Sequence, residues 1–550
     1  MATTLYADDY SGVGDWESSL AWTTSSNTNG ININNLWPGS ASSADTAVFF
    51  CSAGTPSATS RYLVSADRSI AALELRNATD FDVYASSGDG RRLSVSSSIS
   101  VSISGGTLNL GYTASAQGYY KLVPVTPSFV IASGSTIKIL NSLGDGSSPI
   151  AVSGGGTLDI SGYFTSDARY AYAAGFGNLT VTGAGTTVQG RVANSLGSGV
   201  IQIGTGSVVE VRDGSALASV TSGNVNGGSL HVYATNSFSP PTFNVQGGTN
   251  PILAKAANVT TPPILLFGAT TIQVDNGWVS GGNLGGVTGN GNRLTLSGTG
   301  AQVIVNLVEN LSFGVGGLTL SGTAPWAYLA EVTLTSTGAT IINDGRLDLS
   351  ANTTVAATSA IQINGASAEL LYRTTAVARD IDNAISGTGK ITSGRCKFSS
   401  MSGFSGSISQ TYTEFVDSCE VNAGVYSGAL TSGSAGVVWD SDAAQEFAGV
   451  INGAGGFTKR NTSVVTLSAA NTYAGATTVT AGELVLASGG RCGSGGLTIN
   501  PSGKVTVQNG GTIGTGGATV LAGELQTHGA QTYPASLTLG TGSTLTIGGA

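Results

Sequence analysis

The stretch Gly449–Ser488, GVINGAGGFTKRNTSVVTLSAANTYAGATTVTAGELVLAS, decides the fold of this chain. Short runs of alternating apolar and small polar residues are separated by Gly or Asn, and such alternation over four to six residues is typical of half-buried β-strands. It predicts that one set of side chains faces a core: Ile451, Phe457, Val465, Leu467, Tyr473, Val479, Leu484 and Leu486. A unit of this kind that recurs along a chain predicts a solenoid, in which each coil packs on its neighbours.

A Gly-containing turn followed by Leu-x-Leu recurs from about residue 92 onward. Examples are GGTLNL at Gly105–Leu110, DGRLDL at Asp344–Leu349 and AGELVL at Ala481–Leu486. Glycine permits the positive φ of a tight corner, and the two apolar residues point into the core. We expect coils of roughly 20–25 residues. The irregular spacing of the copies predicts that loops of different lengths interrupt these coils.

The composition agrees with an all-β solenoid. The 550 residues include 82 Gly but only 13 Pro, 10% are charged, and 40% are hydrophobic, which argues against both a disordered and a collagen-like chain. A net charge of −9 argues against a nucleic-acid partner, because phosphate binding needs clustered Lys and Arg. The sequence has no apolar run of the roughly 18 residues that a membrane helix needs. We predict neither a metal site nor a cofactor.

The stretch 449–488 closely resembles the autotransporter-associated β-strand repeat. AISGTGKIT at Ala384–Thr392, followed by GFSGSIS at Gly403–Ser409, resembles a divergent second copy. The resemblance implies a single-stranded right-handed parallel β-helix, as in bacterial passenger proteins, and a location outside the cell. It does not imply any particular activity.

Residues 1–84 differ from the solenoid pattern of residues 85–550. They contain three tryptophans, and we interpret this Trp-rich segment as an N-terminal cap, because terminal coils must protect unpaired strand edges. A docking or ligand-binding module is the alternative. The residues predicted to form the cap or docking site are Trp16, Trp22 and Trp37.

No cluster of residues with catalytic spacing is evident. His231 and His528 are isolated, and neighbouring acids such as Asp440 and Asp442 are interpreted as solvated turn residues. Two tyrosine-rich insertions, and a tryptophan next to Asp440, are candidate contact sites, because aromatic residues are enriched at interfaces. The tyrosines could equally be buried under their own loops. The candidate contact residues are Tyr112, Tyr119, Tyr120, Tyr163, Tyr170, Tyr172 and Trp439.

Two of the four cysteines lie about one coil apart in the sequence. Because their separation is close to the expected coil length, Cys396 and Cys419 could stack on adjacent coils and form a disulfide. The alternative, which we favour, is that they pack as small buried residues.

These features predict a non-enzymatic structural or adhesive fibre that is displayed externally. The first residues lack the basic and apolar regions of a signal peptide, and the last ones continue the solenoid pattern. We therefore expect a phage virion appendage or decoration protein on the virion surface. The alternatives are a secreted bacterial passenger or adhesin at the cell surface, and a polysaccharide-degrading tailspike. Expected partners are other virion or cell-surface proteins, surface glycans, or further copies of the chain.

Overall fold

A computed structural model describes the structure of the chain in segments. The described residues are 4–7, 13–15, 22–23, 46–49, 60–64, 68–76, 80–85, 91–102, 104–110, 120–124, 128–140, 142–143, 148–161, 176–234, 240–274, 278–299, 303–307, 309–322, 325–329, 333–350, 353–356, 358–373, 378–529 and 536–548. Within these segments no α-helix occurs, and the one helical element is a 3₁₀ turn at Asn422–Gly424. The chain divides into two compact units.

The first unit comprises residues 1–272 and 277–285. Its strands, the last but one of which ends just beyond residue 272, are β1 (Thr4–Ala7), β2 (Val13–Asp15), β3 (Trp22–Thr23), β4 (Thr46–Phe49), β5 (Ser60–Val64), β6 (Arg68–Leu75), β7 (Asp80–Ala85), β8 (Arg91–Val101), β9 (Thr107–Leu110), β10 (Tyr120–Pro124), β11 (Ser128–Ile131), β12 (Thr136–Ile139), β13 (Ser142–Leu143), β14 (Ile150–Ser153), β15 (Thr157–Ile160), β16 (Leu179–Val181), β17 (Thr187–Gly190), β18 (Val200–Ile203), β19 (Val208–Val211), β20 (Ser222–Val225), β21 (Ser229–Val232), β22 (Phe243–Val245), β23 (Gly248–Thr249), β24 (Ile252–Ala254), β25 (Ile264–Leu266), β26 (Thr270–Gln273) and β27 (Gly282–Leu284).

The second unit comprises residues 273–276 and 286–550. Its strands are β28 (Val287–Thr288), β29 (Leu294–Ser297), β30 (Val303–Leu307), β31 (Leu311–Gly314), β32 (Leu318–Ser321), β33 (Pro325–Leu329), β34 (Thr333–Ser336), β35 (Thr340–Ile342), β36 (Arg346–Leu349), β37 (Thr354–Val355), β38 (Ile361–Ile363), β39 (Glu369–Tyr372), β40 (Arg379–Ile381), β41 (Ile385–Gly387), β42 (Lys390–Phe398), β43 (Gly403–Phe404), β44 (Ser407–Asp417), β45 (Val425–Tyr426), β46 (Leu430–Ser441), β47 (Gln445–Phe447), β48 (Ile451–Gly453), β49 (Phe457–Lys459), β50 (Val464–Leu467), β51 (Thr477–Leu486), β52 (Leu497–Val507), β53 (Ala518–Val520), β54 (Glu524–His528), β55 (Leu537–Leu539) and β56 (Thr544–Gly548).

The first unit is built from stacks of parallel strands that are one coil apart. One stack runs through β9, β12, β15, β17, β19, β21 and β24, and another runs through β8, β11, β14, β16, β18, β20, β22 and β25. Apart from the antiparallel pair β1–β3, the described strand pairs of this unit are parallel. Leu158 pairs with Val188 and Val188 pairs with Val209, so the first of these two coils is the longer one. The longer coil contains a predicted insertion, so loops of different lengths do interrupt the coils.

The second unit is also a parallel β-solenoid, and its C-terminal coils are the most regular. Phe457 pairs with Thr477, and Thr477 pairs with Leu497, so these two coils are equal in length. The next coil, from Leu497 to Ala518, is longer by a single residue. All three lie within the predicted range of roughly 20–25 residues. The predicted parallel β-solenoid is therefore confirmed, and the predicted coil length holds for these three coils, whereas the right-handed sense of the coil stays an implication of the resemblance.

The core consists of columns of identically placed apolar side chains. All eight inward residues that the alternation in Gly449–Ser488 predicts have no exposed surface, so this prediction is confirmed. A second column, in the first unit, is likewise fully buried and consists of Leu108, Ile137, Leu158, Val188, Val209, Leu230 and Ile252. Full burial of each such side chain contributes about 1.5–3 kcal/mol. Hydrophobic burial thus stabilises the described coils as far as β54, whereas Leu539 and Ile547 of the last two strands are exposed.

Much of the predicted N-terminal cap, residues 1–84, lies outside the described residues. Trp16 and Trp37 are among those outside, and only the backbone of Trp22 is described, in β3. The boundary at residue 84 and the capping role of this segment stay predictions.

Candidate binding surface

Four neighbouring strands of the second unit, β33, β36, β39 and β42, present charged and aromatic side chains on their outer side. One outward row runs across these strands through Trp326, Arg346, Glu369 and Lys390. Adjacent members of a row are separated by the strand spacing of about 4.8 Å, so their side chains can contact one another. The Arg346 surface, as we call it, comprises the four residues of this row, Tyr328 and Asp348 of the neighbouring row, and Arg373, the residue after β39.

The period of two explains why these side chains point outward. Leu347 and Leu349 of β36 have no exposed surface, and the residues that alternate with them, Arg346 and Asp348, therefore lie on the opposite face. The same alternation in β33 buries Ala327 and leaves the flanking aromatic residues outside.

Asp348 and Arg373 form a closed ion pair. Arg373 donates from Nε to Oδ1 of Asp348 at 2.8 Å and from Nη2 to Oδ2 at 2.8 Å. The Asp348 side chain is completely buried, and its hydrogen bonds raise the pKa of the Arg373 guanidinium. The same guanidinium lies over the ring of Tyr328, with Cζ 5.3 Å from the ring centroid. Both partners therefore have well-placed hydrogen bonds, as a buried carboxylate requires.

Arg346 is held much more loosely. Its Cζ lies 4.6 Å from the centroid of the Trp326 ring. Its nearest carboxylate oxygens are 3.7 Å away on Glu369 and 3.9 Å away on Asp348, both too far for a hydrogen bond. Within the described part of the chain, Nε of Arg346 and Nε1 of Trp326 are both buried and have no hydrogen-bond acceptor. Arg346 thus offers unused donors next to an aromatic ring.

The first unit contains a comparable cluster in which the charges are paired closely. Cζ of Arg212 lies 3.7 Å from the centroid of the Tyr233 ring, and Nη2 of Arg212 is 2.7 Å from Oε2 of Glu210. Gln189 donates to the same carboxylate at 2.9 Å. His231, which the sequence predicts to be an isolated surface residue, lies in this cluster. Burial, together with nearby Lys255 and Arg212, lowers the pKa of His231 to about 4, so its ring is neutral at pH 7.

Two further carboxylates of the second unit share one arginine. Nη1 of Arg460 lies 3.1 Å from Oε1 of Glu414 and 3.7 Å from Oδ2 of Asp440. These contacts bring the carboxylates into the range of separations that glycosidases use, roughly 5–9.5 Å, or closer. However, the Glu414 side chain is only 5% exposed and also accepts a hydrogen bond of 2.7 Å from the Tyr412 hydroxyl. This arrangement is typical of a structural ion-pair network, because an arginine occupies the position between the acids.

The structure corrects one predicted contact residue. Trp439 has no exposed surface and lies in the core, where its ring centroid is 5.1 Å from that of Phe415 and 5.5 Å from that of Phe447. The prediction failed because β46 continues through residue 441, which places Trp439 at an inward position. The tyrosines of the two insertions lie outside the described residues, except that the backbone of Tyr120 belongs to β10, and their contact role stays a prediction: Tyr112, Tyr119, Tyr120, Tyr163, Tyr170 and Tyr172.

Cys396 and Cys419 are both buried and are not joined by a disulfide, so the pairing that the sequence left open does not form. In the strand ladder Cys396 faces Thr413, because the coil that joins β42 to its partner β44 is shorter than the spacing between the two cysteines. The favoured alternative, in which both thiols pack as small buried residues, agrees with this placement.

The sequence interpretation missed the Arg346 surface. A usable signal was present, since PWAYL at Pro325–Leu329 alternates aromatic with apolar residues, and DGRLDL alternates charged residues with leucine. What was missing was the register, because the coils between these strands vary in length and the motifs alone do not show which residues pair.

Comparison with protein families gives one match. Residues 457–486 match the family model described as Passenger-associated-transport-repeat. The match lies in the most regular part of the solenoid, between β49 and the end of β51. The predicted resemblance to passenger-type β-helix proteins is thereby confirmed. Comparisons with curated proteins and with solved structures give no match.

The described residues contain no helix long and apolar enough to cross a membrane. A group of three or more His, Cys, Asp or Glu side chains that could hold a metal ion is likewise not found among them.

Proposed function

We propose that this protein is a non-enzymatic passenger-type β-solenoid that is displayed outside the cell, where it has a structural and adhesive role. The observation that carries this proposal is the match of residues 457–486 to a passenger-associated repeat, within coils that stack without interruption. A solenoid presents long rows of outward side chains on a rigid backbone, which suits contact with extended ligands.

The passenger-associated repeat favours a bacterial cell-surface protein over the virion appendage that we predicted from the sequence. The repeat family is described by its association with passengers, and nothing in the fold or in the comparisons supports a virion. Attachment to phage particles is therefore an outcome for the experiment to detect.

Several contacts argue against the polysaccharide-degrading alternative. The acidic pair Glu414 and Asp440 has Arg460 between its members, and this side chain occupies the gap where the sugar of a hydrolase would lie. Glycoside hydrolysis instead needs one acid that carries a proton near neutral pH and a sugar that can reach it. Glu414 is too buried for that contact.

Surface labelling of the source organism tests the proposed location. Antibodies raised against residues 449–548 should label intact cells, and brief treatment of the cells with protease should remove the label while a cytoplasmic marker stays intact. Label that is found only after cell lysis, or only on phage particles, would refute the proposal.

A reducing-end assay with a panel of polysaccharides tests the absence of enzymatic activity. We expect no release of reducing ends above a heat-denatured control. Release that is abolished by Glu414→Gln would instead establish the hydrolase.

A further inference from the structure

We propose that the Arg346 surface binds an acidic polysaccharide through the anionic groups of successive sugars. This proposal rests on the proposed display outside the cell, and it names the class of ligand that the adhesive role would involve. It is argued from the unused donors, the local charge and the aromatic rings of this surface.

Within the part of the chain that the structure describes, the guanidinium of Arg346 has no carboxylate within hydrogen-bonding distance. An arginine has five N–H donors in a planar fork that matches a carboxylate or sulfate. Arg373, only one coil away, shows the matched arrangement, with two contacts of 2.8 Å to Asp348. Arg346 has no carboxylate oxygen nearer than 3.7 Å among the described residues. The Arg346 side chain is 28% exposed, so its terminal Nη groups, rather than the buried Nε, can donate hydrogen bonds to an incoming anion.

The Arg346 surface contains more cations than carboxylates. Lys390 lies 3.6 Å from Oε1 of Glu369, the same carboxylate that Arg346 approaches, while Asp348 is already paired with Arg373. Within the seven residues of the Arg346 surface, three cations thus share two carboxylates, an excess of one positive charge in a chain whose net charge is −9. Side chains of Arg373 and Lys390 are 54% and 48% exposed, which leaves them within reach of a ligand. The excess charge selects for an anion.

The cations of the Arg346 surface are spread over successive coils. Arg346 and Lys390 belong to one row and are two strand spacings apart, about 10 Å, while Arg373, on the coil between them, lies to one side of this row. A single small anion cannot contact both Arg346 and Lys390. A linear polymer with one anionic group per sugar can contact both.

The aromatic rings distinguish a sugar from a simple ion. Trp326 and Tyr328 lie beside the cations and are partly exposed. One face of each ring is covered by a guanidinium, and the part of each ring that stays exposed offers apolar surface against which the C–H face of a pyranose can pack while its charged group reaches that guanidinium. The net charge of −9 over the whole chain disfavours a nucleic acid, whose closely spaced phosphates need several clustered Lys and Arg contacts.

Binding measurements on the full chain test the proposal. The probes are a galacturonic acid hexamer, dextran sulfate, neutral maltohexaose and a short DNA duplex. Binding is followed by isothermal titration calorimetry at low and at high salt, about 50 mM and about 200 mM NaCl, because contacts between charges weaken as salt rises. We expect the two anionic carbohydrates to bind, with lower affinity at the higher salt concentration, and maltohexaose not to bind. A preference for the hexamer or for dextran sulfate identifies carboxylate or sulfate as the natural group.

Three variants show whether the Arg346 surface is the site. Arg346→Gln should weaken binding at least tenfold. Glu369→Gln should strengthen it severalfold, because it removes the carboxylate that competes for two of the cations. Arg212→Gln is the matched control, since Arg212 also lies over an aromatic ring but is already paired with Glu210. It should leave binding unchanged.

Several outcomes would overturn the proposal. These are no binding of either anionic carbohydrate, equal binding of maltohexaose, equal losses for Arg346→Gln and Arg212→Gln, or DNA binding as tight as that of the carbohydrates. Circular dichroism spectra of the variants confirm that each is folded. If the binding measurements contradict this proposal, the result of the surface labelling is unaffected. The proposed display outside the cell and the proposed polysaccharide binding are therefore tested separately.

Discussion

Lys459 is a lysine in a core column, and it allows a sharp test of the packing. It follows Trp439 in the inward column and has no exposed surface. Its ammonium group donates to the carbonyl oxygens of Asn461 and of Ala481, the latter at 3.4 Å. Burial lowers the pKa of Lys459 to about 8, and the nearby Asp440 carboxylate offsets part of this effect. The perturbation that we propose is Lys459→Met, which keeps the length of the side chain and removes the charge.

The magnitude follows from the difference between the folded and unfolded pKa values. The unfolded chain holds the proton of this lysine up to its ordinary pKa of 10.5, whereas the folded chain releases it near 8. Between these values the unfolded state binds more protons, so the free energy of unfolding rises with pH. At about 1.36 kcal/mol for each pKa unit, the rise is about 3 kcal/mol and is complete above pH 10.5. Below pH 8 this group contributes no slope.

Urea unfolding, followed by circular dichroism between pH 7 and 10.5, measures this effect. Buried cysteine thiols, whose pKa values are raised, act in the opposite direction above pH 9, so the informative quantity is the difference between wild type and variant. The stability of wild type relative to Lys459→Met should rise by about 3 kcal/mol across the window. Lys504→Met, at a partly exposed lysine that lies near two glutamates, is the control and should track wild type. Parallel curves for wild type and Lys459→Met would refute the buried-lysine assignment.

Three further predictions concern the turns, the aromatic core and the thiols. Gly453 has a φ of 110°, and a Cβ there would lie 1.9 Å from the carbonyl oxygen of Ser432. Gly453→Ala should therefore lower the free energy of unfolding by about 2–3 kcal/mol in urea titrations. Gly489→Ala, where the nearest atom is 3.9 Å away, should cost less, and an equal loss would contradict the steric explanation. Phe447 packs edge-on against three aromatic neighbours. Phe447→Ala should lower the free energy of unfolding by about 3–5 kcal/mol in the same assay. A decrease below about 1 kcal/mol would show that this core is loosely packed. Burial raises the pKa of the Cys492 thiol to about 11, so native protein treated with iodoacetamide at pH 8 should show, by peptide mass mapping, three cysteines that are neither alkylated nor bridged: Cys396, Cys419 and Cys492.

The sequence alone was sufficient to predict features that depend on neighbouring residues of one strand or turn. Inward residues such as Phe457 and Leu484 could be assigned from alternation alone, because successive side chains of a strand point to opposite faces. Coil length was expected from the repeat length that is usual in solenoids of this kind, because the spacing of the Gly and Leu-x-Leu motifs is irregular. Trp439 escaped this reasoning because it was interpreted from its neighbour Asp440 and not from a strand position, whereas it lies at a buried position of β46.

The amino-acid sequence by itself determined that this chain forms parallel coils around an apolar core and that it carries a passenger-type repeat. Alternation and turn glycines act over a few residues, so they can be recognised in the sequence without knowing which strands are neighbours. Only the tertiary structure decided which outward side chains meet. Arg373 reaches Asp348 from the next coil, while Arg346 is left over Trp326 with unused donors. Such contacts depend on the register between coils, which shifts with the length of every turn, and a difference of one residue would place each side chain on the opposite face.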